Sequence, residues 1–178
     1  QWDIVPRYWG RVGQKLIAFS STGTLYVMHE GTDYAKMFGI QQTPSIEFAV
    51  NPATQTPKVF LNTRQQTAGQ LWHAPNDDSI TIPSNVPYAA GMASRLKANK
   101  FENIEGMWRA DFLRDMNDTR KIFLDIADIP TRKATALLSG RVLRGEVLIC
   151  IFEPETKDEY AEIHRVDTQW IPSFPIKE

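Results

Sequence analysis

The chain has 178 residues, of which 42% are hydrophobic and 23% charged, a composition typical of a globular protein with a sizeable core. Its 20 basic and 21 acidic side chains leave a formal net charge of -1, so bulk charge gives no support for a nucleic-acid coat. No apolar run approaches the roughly 20 residues that cross a bilayer, and no membrane insertion is predicted.

The single cysteine and the first residues bear on the context of the chain. Cys150 lies in an apolar run, so an intramolecular disulfide is excluded and a buried, inert thiol is predicted. The chain starts at Gln1 and soon reaches Trp2, Pro6 and Trp9, residue types that usually pack. We therefore expect a fragment, either a processed product or an ordered part of a longer protein.

The first forty residues predict a β-meander. Residues 15–19 and 24–28 are β-prone and flank the turn cluster 20–23, which is a hairpin signal. Residues 34–38 are predicted to add a third strand, whereas residues 10–13 are interpreted as a turn. The order of strand, glycine-containing tip and Leu-Tyr-Val strand is similar to a blade of a β-propeller.

The second stretch predicts further short strands. Residues 45–50 alternate, with the apolar side chains of Ile46, Phe48 and Val50 on one face. Residues 58–67 are predicted to form the next strand. Shorter strands are predicted at 70–73 and 79–82, separated by turns rich in Asn, Asp and Pro.

The third stretch predicts strands and one helix. A strand is predicted at 106–113, and a helix at 130–139, with Thr131 as its N-terminal cap and Gly140 ending it. A strand at 146–152 is then predicted to form an antiparallel hairpin with residues 160–170. The Pro-containing tail should be extended and irregular.

These elements predict a mainly β fold, an antiparallel β-sandwich preceded by a blade-like β-meander, with at most one or two short helices. The predicted domains are residues 1–42, the meander that ends an upstream blade-like module, and residues 43–178, the sandwich with its irregular tail. Strands at spacings of about ten residues carry this prediction.

Common catalytic and metal-binding motifs are absent from the sequence. His29, His73 and His164 form no HExxH or HxH pattern, and a lone cysteine gives no cysteine-based zinc site. There is no Gly-x-Ser-x-Gly and no glycine-rich phosphate loop. The sequence therefore predicts no enzyme, no catalytic residue, no metal site and no cofactor.

Two alternatives stay open. Asp111 and Asp115 are the best-placed carboxylates for a polysaccharide-degrading enzyme, although neighbouring arginines can neutralise them. The aromatic side chains of Trp72, Trp108 and Trp170 are candidates for a carbohydrate- or receptor-binding face. Aromatic residues on alternating strands more often belong to a core or an interface.

Charged residues around the third stretch predict a structural clamp that closes the sandwich. Guanidinium groups can fix loops by bidentate bonds to carboxylates or to backbone carbonyls. A phosphate site is the functional rival. The candidates are Trp108, Arg109, Asp111, Arg114, Asp115, Arg141 and Arg144.

Four sequence pieces, in this order, carry a resemblance to a known family. They are Phe48-Ala49-Val50-Asn51-Pro52, Lys58-Val59-Phe60, the Glu-Gly-x-Trp-Arg-Ala…Arg-Asp piece at 105–115, and the Leu-x-x-Gly-x-x-Leu-Arg-Gly-x-x-Leu piece that begins near Leu138. Over about residues 8–170 the chain resembles the C-terminal part of tailed-bacteriophage virion proteins, in particular the tail muzzle or stabilisation proteins of crAss-like phages. The segment 122–136 separates the last two pieces and is expected to be an inserted loop at a contact surface.

The resemblance implies a structural subunit in the virion, at the distal tail muzzle or nozzle through which the genome leaves. It implies homo-oligomeric rings, with partners among other copies, the upstream part of the same protein and neighbouring tail proteins. DNA passage would involve no sequence-specific binding, which is compatible with the net charge of -1.

Overall fold

The computed structural model describes residues 7–28, 36–37, 40–84 and 91–173. It divides the chain into two compact units. One comprises residues 1–44 with 156–160, and the other comprises residues 45–155 with 161–178.

The first unit contains a three-stranded antiparallel meander and an antiparallel pair of two-residue strands. The pairing of Val12 with Lys15 leaves a two-residue turn in which Gly13 has a φ of +62°, the left-handed geometry that glycine tolerates and hairpin turns favour. The strands are β1 (Tyr8–Val12), β2 (Lys15–Phe19), β3 (Leu25–Met28), β4 (Lys36–Met37) and β5 (Ile40–Gln41).

Two predictions for this unit were wrong. Residues 10–13 are not a turn, because 10–12 belong to β1 and only Gly13 begins the turn. The expected third strand at 34–38 lies partly outside the described residues, and its described part, β4, pairs with β5. The third strand of the meander is β3, because β1 supplies the strand that the prediction missed.

The described residues of the second unit form two five-stranded sheets and two α-helices. A 3-10 turn at Ala98–Lys100 links strand β10 to strand β11. In chain order its elements are β6 (Ile46–Val50), β7 (Lys58–Gly69), β8 (Trp72–His73), β9 (Ile80–Ile82), β10 (Met92–Ser94), β11 (Glu102–Ile104), β12 (Met107–Asp111), α1 (Lys121–Leu124), α2 (Ile129–Ser139), β13 (Arg144–Gly145), β14 (Leu148–Pro154) and β15 (Ala161–Pro172).

The two sheets are antiparallel and share one hydrophobic core. The first has the order β10-β9-β14-β6, with β8 also paired to β14, and the second has the order β11-β12-β7-β13, with β15 also paired to β7. Phe60 and Ala110 from the second sheet join Ile80, Leu148 and Phe152 from the first in the same buried cluster. This arrangement confirms the mainly β, antiparallel sandwich.

The alternation predicted for residues 45–50 is confirmed in β6. Ile46, Phe48 and Val50 are half-buried and pack against the core, whereas Glu47 and Ala49 are exposed. Side chains on a strand point to opposite faces in turn, so one face of β6 covers the core and the other meets solvent.

The predicted hairpin between residues 146–152 and 160–170 was wrong. Strand β14 already has β6 on one side and β8 and β9 on the other, so it has no free edge for β15. Strand β15 pairs instead with β7 in the second sheet, where two strands of 12 residues match in length.

The segment 122–136 is largely helical, which corrects the expected inserted loop. Helix α2 ends at Gly140 as predicted, but its N-terminal cap is Asp128, whose Oδ2 accepts a hydrogen bond of 2.9 Å from the backbone N–H of Thr131. The helix starts one residue before Pro130, so Asp128 and not Thr131 stands at the capping position.

Candidate functional site

Asp115 is the first member of a buried group of charged side chains at the end of α2. Its side chain has no exposed surface. Oδ1 accepts backbone N–H bonds from Ala93 at 3.2 Å and from Asn117 at 3.0 Å, and Oδ2 accepts a bond of 2.9 Å from Nη2 of Arg141. The carboxylate therefore joins strand β10 to the segment after α2.

Asp118 is the second buried carboxylate, and its side chain also has no exposed surface. Oδ1 accepts the backbone N–H of Arg120 at 3.0 Å. Oδ2 accepts a hydrogen bond from Nε of Arg120 at 2.9 Å and another from the backbone N–H of Arg141 at 2.8 Å. We call Asp115, Asp118, Arg120 and Arg141 the Asp–Arg cluster.

The pKa of Asp118 reflects two opposed effects. Burial acts to raise it, but hydrogen bonds from the side chain and backbone of Arg120 and from the backbone of Arg141 outweigh burial and hold the pKa below its usual value. The charged form is thus the stable one in the folded protein.

Backbone hydrogen bonds connect the Asp–Arg cluster to the last turn of α2. The N–H of Arg114 donates to the carbonyl of Leu137 at 2.9 Å, the N–H of Asp115 to the carbonyl of Arg141 at 2.9 Å, and Nη2 of Arg120 to the carbonyl of Ser139 at 3.1 Å. The final carbonyls of a helix lack partners within the helix. Arg114 and Arg120 therefore supply donors for the carbonyls of Leu137 and Ser139 at the end of α2.

Glycine is required at position 140 because a side chain would not fit there, and not because of the backbone conformation. Its φ of -68° is ordinary, but a Cβ at this position would collide with the backbone oxygens of Ala136 and Asp115. We expect Gly140→Ala to lower the free energy of unfolding by about 2 kcal/mol, since backbone atoms must move to admit the methyl group. Chemical denaturation measures this change. Gly10→Ala is the control, because no heavy atom lies within 4 Å of its added Cβ, and equal effects of the two variants would contradict the prediction.

The pH dependence of stability provides a test of the Asp118 contacts. Because the folded-state pKa is lowered, Asp118 contributes stability above its unfolded-state pKa of about 3.9 and loses that contribution as the pH falls through the folded-state value. Acid titration of the unfolding free energy should therefore fall less steeply below about pH 4 in Asp118→Asn than in the unaltered chain. Identical slopes would show that the carboxylate is not held as described.

A second ionic contact connects α2 to the segments that precede β9 and follow β10 in the first sheet. Asp77 binds Nζ of Lys133 from α2 at 3.0 Å and Nη1 of Arg95 at 2.8 Å. The hydrogen bond from Lys133 lowers the pKa of Asp77, burial opposes it, and Arg95 lowers it further. These side chains are partly exposed, so solvent weakens the pair relative to the Asp–Arg cluster.

Lys58 is a buried cation at the start of β7. The residue has no exposed surface, and Nζ donates to Oδ1 of Asn51 at 3.2 Å and to the carbonyls of Thr56 at 2.9 Å and Glu146 at 2.7 Å. Its Nζ also lies 5.8 Å from the centre of the Trp170 ring. Burial lowers the pKa of Lys58, and the charge of Glu146 opposes that shift. Three acceptors match the three donors of an ammonium group.

The structure distributes the predicted clamp residues over several places. Asp115 and Arg141 are brought together. Arg109 and the strongly exposed Asp111 are 3.8 Å apart on β12 and do not reach this pair. Arg114 exposes its side chain and contributes only its backbone N–H.

The remaining two candidates lie in the second sheet. Trp108 pairs with Gln65 and packs against the core, and Arg144 pairs with Val59 while its N–H donates to Sδ of Met92 at 3.4 Å. The side-chain partner of Asp115 is Arg141, 26 positions away, rather than one of the neighbouring arginines.

Sequence reasoning missed Asp118, Arg120 and Lys58. Asp118 follows the strand predicted at 106–113 and was not singled out, and Lys58 was noted only as part of a motif. The available signal for Asp118 was the run of Asp115, Asn117 and Asp118 followed by Arg120, which offers local hydrogen bonds. Burial of these charges arises from contacts distant in sequence.

The histidines that were considered as metal ligands have different environments. His73 is half-buried, and burial lowers its pKa, partly offset by Glu155, whereas His164 is exposed beside Glu162. His29 lies outside the described residues. Among residues 7–28, 36–37, 40–84 and 91–173, no group of three or more His, Cys, Asp and Glu side chains could hold a metal ion.

Cys150 is buried as predicted, and burial raises its pKa to about 12. A thiol with so high a pKa is almost entirely protonated near neutral pH and therefore unreactive. In the part of the chain that the structure describes, no helix has the length and apolar character required to cross a bilayer.

In the β-sandwich, both buried carboxylates are engaged by guanidinium and backbone amide groups of the same chain. Residues 32–115, just under half of the chain, match the family described as the Crassvirus muzzle protein C-terminal domain. This match confirms the resemblance to the tail muzzle proteins of crAss-like phages. The match indicates a structural component of a phage tail and thus of the virion. No curated protein matches the chain.

The structure brings together the four sequence pieces that carried the resemblance. Lys58 of the second piece binds Asn51 of the first and Glu146 of the fourth. Asp115 of the third binds Arg141 of the fourth. The first three pieces lie within the matched residues 32–115, and the fourth lies beyond them.

Proposed function

We propose that the chain is a structural subunit of the distal tail muzzle or nozzle, assembled from several copies around the path by which the genome leaves. The observation that carries this proposal is the match of residues 32–115 to a muzzle protein domain. That family is described as a C-terminal domain, which supports the chain's being the C-terminal part of a longer virion protein.

The meander supports an assembly role, because it exposes large apolar side chains. Tyr8, Trp9, Val12 and Leu25 are each at least half exposed. Tyr8 and Leu25 both pair with Phe19 and so share one face of the meander, and exposed apolar side chains that cluster on one face mark surfaces that other chains cover. We propose that residues 1–42 end an upstream blade-like module and that residues 43–178 form the closing sandwich, with other copies and neighbouring tail proteins as partners.

The Asp–Arg cluster is proposed to be the clamp of this domain. It joins the segment after β12, strand β10 and the end of α2 through two fully buried carboxylates. Both oxygens of each carboxylate accept hydrogen bonds, and buried groups bonded in this way favour one arrangement of the elements that they connect. A subunit that must keep its shape while a genome passes through needs such fixed elements.

The two alternatives receive less support from the geometry. Trp72 is buried, and Trp108 and Trp170 pack against the core, so these three side chains do not form an exposed platform for sugars. Asp115 is engaged by Arg141 whereas Asp111 is open to solvent, so they do not form the matched pair that glycoside hydrolysis requires.

Immunogold labelling of purified phage particles tests the proposed location. Antibodies raised against the chain should label the distal end of the tail. Label confined to the capsid or to lateral fibres would overturn the muzzle assignment. Pre-incubation of the antibodies with the purified chain is the control, since it should abolish specific label.

A further inference from the structure

The second unit contains a small groove between α2 and the 3-10 turn. Its volume is about 200 Å³, below the roughly 300 Å³ at which small-molecule sites begin. It can therefore take a side chain of a partner rather than a cofactor. Its lining includes Arg95, Lys97, Lys100, Leu137 and Leu138.

The lining of the groove combines apolar and basic side chains. Leu137 is buried and Leu138 is 71% exposed, and both line the groove. Lys97 and Lys100 are exposed, and in the part of the chain that the structure describes neither ammonium group forms a salt bridge. Arg95 is already bound to Asp77. An acidic segment with one large apolar or aromatic side chain would complement this surface.

The chain itself carries such a segment. In the loop 156–160, Asp158 and Glu159 are exposed and are followed by Tyr160, which is 44% exposed. Lys157 is the only basic residue of the loop. Within the described residues, neither Asp158 nor Glu159 takes part in a salt bridge. The loop therefore offers the negative charge and the aromatic side chain that the groove lacks.

We infer that the groove of one copy receives the loop 156–160 of a second copy. The two surfaces differ, so the contact is heterologous, the kind that closes into a ring when the rotation between copies allows it. This inference rests on the proposed function, because it names a surface through which copies of a muzzle subunit would associate. Charge complementarity between Lys100 and the carboxylates of the loop is the argument for this occupant.

Charge reversal on each side tests the contact. Association of the full chain is measured by sedimentation velocity over a range of protein and salt concentrations. Lys100→Glu and Glu159→Lys should each weaken association by about fivefold or more, because an attraction becomes a repulsion. An equimolar mixture of the two variants should associate more strongly than either alone. Lys121→Glu, an exposed lysine on α1, is the control and should behave like the unaltered chain.

Three results would overturn the inference in distinguishable ways. If Lys100→Glu associates as strongly as Lys121→Glu, the groove is not the contact, while assembly of copies stands. If Lys100→Glu weakens association but Glu159→Lys does not, another segment occupies the groove. If the unaltered chain does not associate at any concentration, both the contact and self-assembly of the chain fail.

Discussion

Asp115→Ala should lower the free energy of unfolding by about 3 kcal/mol or more, because it leaves a guanidinium group and two backbone N–H groups without their acceptor. The acceptor is fully buried, whereas Arg141 keeps about a third of its side chain exposed. Partial hydration of Arg141 places the expected loss at the lower end of the range for a broken buried pair. Urea denaturation followed by tryptophan fluorescence measures it.

Asp111→Ala is the matched control for that experiment. Asp111 belongs to the same segment, but its side chain is 81% exposed and its contact with Arg109 is long, at 3.8 Å. Its loss should therefore leave the unfolding midpoint almost unchanged. A double-mutant cycle with Arg141→Ala should show strong coupling to Asp115 and none to Asp111. Equal destabilisation by the two alanine variants would refute a structural role for the Asp–Arg cluster.

Lys58→Met should destabilise the sandwich by about 2–4 kcal/mol, because it keeps most of the side-chain volume but removes the buried ammonium group. The carbonyls of Thr56 and Glu146 would then lose a donor. The loop after β6 should loosen too, since Ala53 and Gln55 have left-handed φ values of 58° and 68°, which cost free energy in residues other than glycine.

Hydrogen exchange would locate this second effect. Protection should fall at Ser173, whose N–H donates to the carbonyl of Pro57 at 2.8 Å, and at the first residues of β7. Lys100→Met, which alters an exposed lysine, should change neither the stability nor the exchange. If Lys58→Met left both unchanged, the three hydrogen bonds of its ammonium group would contribute nothing measurable.

The local part of the fold could be predicted from the sequence because local rules dominate there. The alternation of Ile46, Phe48 and Val50 indicated which face of β6 covers the core, and Gly140 marked the end of α2. Both signals depend on residues within a few positions of each other. The mainly β class followed from such signals.

Strand pairing could not be predicted in the same way. Nearness in sequence favoured a hairpin of β14 with β15, but β14 is flanked on both sides by strands from earlier in the chain. Strand β15 therefore crosses to β7, about a hundred residues earlier. Such pairings depend on which edges are free once the sheets have formed.

The candidate site, too, could be predicted only where the signals are local. Charged residues at positions 109–115 and 141–144 were identified as a clamp, and the role of these residues stays a prediction. The exact partners could not be found, because the burial of Asp118 and Lys58 depends on Arg141 and Glu146, which are 23 and 88 positions away. A charged residue in a sequence is ordinarily exposed, so a buried one leaves little local signal.

Electron cryomicroscopy of the intact tail tests the central claim most directly. We expect the distal end of the tail to contain several copies of a β-sandwich of two five-stranded sheets, arranged around the channel, with helix α2 resolved against each sandwich. Density at the distal tail that does not fit this sandwich, together with a good fit elsewhere in the particle, would contradict the assignment to the muzzle.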